Sequence, residues 1–211
     1  MDKNSGLPGP LQAAKLIHEA LRKAAGEVKG IAGQLETGNS LQGFKLAFDA
    51  WAMALVFHLT QEEAHMDPCL ATALSTSYGE DGLDSDSISK VILALSRVGR
   101  SEQMEMIEEV FRILYHEIGN TSLITRTIQH LYRQVVAMGI AQENHLEAKE
   151  VMVLPILCEG MGDYQQLALI KTLLIDDQSD NRRWIVEWVF ERSDSDGKAI
   201  LAELESRFQN I

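Results

Sequence analysis

The stretch His58-Leu59-Thr60-Gln61-Glu62-Glu63, with Pro68 ten positions after its histidine, is echoed by His145-Leu146-Glu147-Ala148-Lys149-Glu150, with Pro155 ten positions on. Both phrases close long segments rich in Ala, Leu, Glu, Gln and Met, side chains that lose little freedom in a helix. A phrase repeated in this way predicts two helix hairpins related by rough symmetry around one shared site. At about 100° per residue, His58, Glu62 and His65 fall on one helical face. An imidazole and a carboxylate one turn apart can chelate a cation, or let the carboxylate bridge two. His145 and Glu150 are five positions apart, less well aligned but within reach of the same site.

Outward from these phrases, four long helical segments can be read. The first covers 8–35, where Leu16, Ile17, Ala20, Leu21, Ala24 and Val28 form a stripe of 3.6-residue period. Gly38-Asn39-Ser40 breaks it, with Ser40 a candidate N-cap for a second segment over 41–74. Phe44, Phe48, Trp51, Leu55 and His58 recur along that segment, and Pro68 is expected to kink or end it. A loop rich in Gly, Asp and Ser over 77–87 precedes a third segment over 88–118, and Gly119-Asn120 stops that one. The fourth starts at Thr121 or Ser122 and runs to Cys158. Shorter helices are predicted over 163–175, 180–192 and 197–208. Long segments with short joints make antiparallel neighbours. The expected fold is an all-α antiparallel four-helix bundle over 1–160, with a C-terminal helical extension, 161–211, packed on it.

Composition narrows the partners. Apolar residues make up 45% and charged residues 24%, the balance of a globular protein rather than a disordered one. A formal net charge of −12 and the absence of a basic run argue against nucleic acid or an anionic membrane, which are bound through Lys/Arg patches. No apolar run reaches the length of a transmembrane candidate, and the opening ten residues do not read as a signal peptide. Cys69 and Cys158 stand without CxxC or CxH spacing and suit buried thiols in a reducing compartment. An intracellular protein, cytoplasmic or of an organelle stroma, is expected. Asp194-Ser195-Asp196-Gly197 lacks the carboxylate ladder of a calcium loop and is read as a helix-capping turn.

The two histidine–carboxylate–proline phrases, preceded by His18 in the first segment, resemble the hemerythrin-like (HHE cation-binding) family. His18 lies about as far before the 38–40 turn as His58 lies after it, so an antiparallel pair places them at one height. Within that family, the first-helix spacing is similar to that of the hemerythrin domains of BRUTUS-type iron-sensing ubiquitin ligases. So is the tail with Leu167, Leu173, Trp184, Trp188 and the acidic turn over 193–197. The resemblance implies that His18, His58, Glu62, His145 and Glu150 are iron ligands, with the two carboxylates as candidate bridges. It implies a metal-binding module that senses or stores iron or dioxygen, rather than an enzyme. A lone helical histidine is more often a bystander, and the duplicated spacing together with His18 is what outweighs that reading for the set.

Two departures bear on occupancy. A complete site also draws histidines from the third helix, yet there is no histidine or cysteine over 70–115. The matching level falls near 94–102, which offers Ser96, Arg97, Arg100, Ser101 and Glu102. His116 lies roughly 35 Å from the level of His145 at 1.5 Å per residue, so it and His130 are expected at the surface or core edge. Asp84 or Asp86 would have to replace the missing histidine. Lys149 stands where the first phrase has Glu62, and an ammonium there repels a second ion unless it turns outward or pairs with an anion. One ion, or none, is therefore expected rather than a complete di-iron centre. The alternatives are a degenerate bundle acting as a non-metal interaction protein, or one holding heme or another tetrapyrrole. The axial ligand would then be His58, His65 or His145, beside Met53, Met138 and Met152.

Overall fold

The computed structural model describes residues 9–36, 40–77, 83–117 and 125–209. Among them every regular element is helical: α1 (Gln12–Gly33), α2 (Gln42–Gln61), α3 (Asp67–Ser77), α4 (Leu83–Arg112), α5 (Thr125–Ala148), α6 (Leu154–Gly160), α7 (Asp163–Leu174), α8 (Trp184–Arg192) and α9 (Ser195–Phe208). Wide π-type turns over Glu62–Met66, Ile113–Glu117 and Lys149–Val153 extend α2, α4 and α5. The all-helical expectation holds. The 38–39 and 119–120 breaks and positions 78–82 of the expected 77–87 loop lie outside the described residues, while 83–87, read as loop, already belong to α4, which starts five residues earlier than expected. No helix among the described residues is long and apolar enough to cross a membrane.

The prolines of the two phrases explain two of the π turns. Proline has no N–H for the carbonyl four residues back, and its ring crowds that carbonyl. For Pro68 and Pro155 those carbonyls belong to Ala64 and Val151, each inside a π turn. The residue before each proline donates instead to the carbonyl five back, Asp67 to Glu62 and Leu154 to Lys149. Pro68 thus neither ends nor breaks the helix; the chain widens for one turn and runs on as α3.

By internal contacts the chain divides into two compact units: Met1–Ala20, His58–Ala94 and Glu147–Ile211 form the first, Leu21–Phe57 and Leu95–Leu146 the second. In the first, α3 packs on α6, α7 on the Glu62–Met66 turn and on α9, and α8 on α9. The α3–α6 approach needs a bare glycine: a Cβ on Gly160 would lie 2.8 Å from that of Ala73. Gln166 donates to the carbonyls of Cys158 and Met161 and so ties α7 to the end of α6. Asp194 caps α9 by accepting from the Gly197 N–H at 2.8 Å, as read for that turn. Trp188 and Leu201 are buried, but Phe190 is exposed beneath Lys198, and Ile185, Val186 and Val189 supply the rest of the apolar face of α8. Ile170 is fully buried on α7. Ile170→Ala is expected to cost about 3 kcal/mol, read by urea denaturation, since cavity and lost transfer energy add.

The second unit is organised around aromatic side chains. Phe48 packs edge-on against Trp51 and Phe111, with ring centroids 6.0 and 5.3 Å away, and Phe44 stacks on it. The Trp51 indole donates to Gln142 Oε1 at 2.7 Å, satisfying both buried groups at that point. Arg22 and Glu143 pair at 2.8 Å at its surface.

Candidate metal centre

His18 from α1, His58 from α2 and Glu62 from the first residue of its π turn lie in the first unit and are each no more than 1% exposed. One donor atom from each lies within 4.8 Å of the others, and among the described residues no other trio of His, Cys, Asp or Glu does this. The two imidazoles meet edge to face, centroids 5.2 Å apart, and His58 Nε2 is 3.3 Å from Glu62 Oε1.

Glu150 reaches this group through a histidine. His18 Nδ1 donates to Glu150 Oε1 at 2.7 Å, which leaves Nε2 as the lone-pair nitrogen of the neutral ring. Burial pushes the His18 pKa from 6.5 down to about 4, against the raising effect of that hydrogen bond, and the neighbouring His58 lowers it further. His18 Nε2 and both ring nitrogens of His58 are buried without a hydrogen-bond partner. Leaving such atoms unmet costs on the order of 1–3 kcal/mol each, and one ion between the two rings would meet His18 Nε2 and one nitrogen of His58. Two imidazoles and a carboxylate form a donor set suited to Fe(II), Mn(II), Co(II) or Zn(II), and a carboxylate on the remote nitrogen is the usual way to orient a ligating histidine. The residues present fit a single transition ion.

His145 is 6% exposed and lies in the second unit, where its Nδ1 would be 3.6 Å from a Cβ built on Gly99. Gly99 falls inside the 94–102 window, so a position of α4 within it that faces His145 is a glycine. His65 is exposed, contrary to the helical-face reading. The π turn inserts one residue into the count, so Met66 takes the inward place that an unbroken α-helix would give to 65. His130 is 42% exposed beside Glu109, a surface placement. The side chains of His116, Asp84 and Asp86 lie outside the described residues.

Lys149 does not turn outward. It is 2% exposed, and its Nζ sits 3.3 Å from Asp67 Oδ1 and 3.6 Å from Glu62 Oε2. Sequence reasoning passed over Asp67, itself 7% exposed. Its signal was an acid directly before the proline of the phrase, brought inward by the wide turn.

No family model, curated protein or solved structure matches the chain.

Proposed function

We propose that the chain is a hemerythrin-like metal-binding module that holds one divalent transition ion, iron by preference, on His18, His58 and Glu62. The observation that carries this is the unmet nitrogens of His18 and His58, buried, with one donor atom of each ring within 4.8 Å of the other and of a Glu62 carboxylate oxygen. The arrangement we propose around it is an antiparallel four-helix bundle with the 161–211 extension; the four long helical stretches separated by short connections support it.

Glu150 acts on the site by holding the His18 ring and fixing its tautomer. The ion would supply a charge that joins α1 to α2 and its π turn, so its binding free energy adds to folding free energy. That coupling suits a sensor or store, whose readout is the stability of the helices the ion joins.

Protein purified without added metal, stripped by chelator and titrated with Fe(II) under anaerobic conditions is expected to take one equivalent and to melt at a higher temperature. Glu62→Gln should weaken binding at least about a hundredfold, since it removes the anionic donor, while His116→Ala leaves it unchanged. Loss of binding on changing His116 would overturn the assignment. So would a wild-type chain, fully folded and metal-free, that ignores Fe(II); a Soret band would favour the tetrapyrrole instead.

A further inference from the structure

We infer that Lys149 is a built-in second cation, so that a carboxylate pocket laid out for two positive centres takes one metal ion and one ammonium. This rests on the reading of His18, His58 and Glu62 as ligands, and extends it to the number of ions held.

The Glu62 carboxylate faces two ways. Its Oε1 lies 3.3 Å from His58 Nε2, and its Oε2 lies 3.6 Å from Lys149 Nζ. A carboxylate placed in this way between two metal ions would be a bridge; here one end meets an ammonium. Asp67 holds that ammonium from another side at 3.3 Å. None of these three side chains exceeds 9% exposure, so the pairing is internal rather than a surface contact. Lys149 also stands four positions after His145, as Glu62 stands four after His58, so it fills the place of the second phrase that corresponds to a carboxylate in the first.

Charge points the same way. Glu62, Asp67 and Glu150 bring three negative charges to the cluster and Lys149 one positive charge. Counting these four groups alone, one divalent ion offsets the remainder, and a second would add two positive charges beside the buried ammonium, which a low-dielectric interior strongly disfavours. Reversing the charge at 149 changes the count by two, the charge of one more divalent ion.

The test uses the full-length chain, stripped by chelator and titrated with Co(II), followed by calorimetry, visible absorption and elemental analysis. Wild type is expected to bind one ion and Lys149→Glu two. Lys149→Gln, which removes repulsion without adding a donor, is expected to bind one ion about tenfold more tightly. Circular dichroism checks that each variant is folded; if Lys149→Glu is not, the affinity of Lys149→Gln decides. One ion in wild type and in Lys149→Glu, with Lys149→Gln unchanged, overturns the inference and leaves the metal site standing. Two ions in wild type do the same. If wild type binds none, the metal-site reading fails. An ion gained by Lys149→Glu would then still uphold the cation role of Lys149, and none gained would end it.

Discussion

In the metal-free chain, Lys149→Met is expected to lower the unfolding free energy by about 3–5 kcal/mol, because it withdraws one partner of a buried ion pair and keeps the other. The ammonium faces the carboxylates of Glu62 and Asp67, both at or below 9% side-chain exposure, where water cannot take its place. Methionine fills nearly the same volume, so the loss reports charge rather than a cavity. Urea denaturation measures it through a lower midpoint at unchanged slope. Combining Lys149→Met with Glu62→Gln should return part of the loss, giving a coupling in the double-mutant cycle that surface pairs do not show. A loss under about 1 kcal/mol would mean that the pair is solvated and contributes as an exposed bridge does.

The second large effect is on pH. His18 has a folded-state pKa lowered to about 4 from 6.5, chiefly by burial. Between those values the unfolded chain binds the proton and the folded chain refuses it, so stability falls as the medium is acidified. The loss begins as pH drops below about 6.5, reaches about 2 kcal/mol near pH 5, and levels off at about 3 kcal/mol below pH 4. Unfolding of metal-free wild type and of His18→Gln, compared across pH 7.5 to 4, isolates this contribution as the difference between the two slopes. Parallel curves would show that His18 keeps an ordinary affinity for protons in the folded chain.

Much of the helical layout was legible because it rests on local signals. The 3.6-residue stripe of α1 and the Asp194 cap are written in neighbouring residues, and helices appear where these place them. The approach of His18 to His58 was legible from matched distances to a turn, and the place of Glu62 from its one-turn spacing after His58. What escaped was anything that depended on a departure from 100° per residue. His65 and Asp67 exchanged their expected prominence because a proline further on withholds an N–H and the helix widens before it. Lys149 was read as repelling a cation unless it turned outward or paired with an anion; which anions hold it was not legible, because Glu62 and Asp67 come from a segment far away in the chain. The empty level opposite His145 was anticipated as a missing histidine, but that the position would be glycine's backbone could be seen only once the helices were placed.

The matched π turns carry a consequence for inheritance. Each holds one residue more than the α-helical repeat requires, and α3 and α6, which pack on each other, both lie just downstream of one. Their contact therefore depends on two extra residues kept in step. A lineage that lost a single codon from 63–65, or from 150–152, would swing one of the two helices by about 100° and leave the other where it was. Ala73, the neighbour that the bare backbone of Gly160 accommodates, would turn away from it, so neither extra residue can be dropped without breaking that contact.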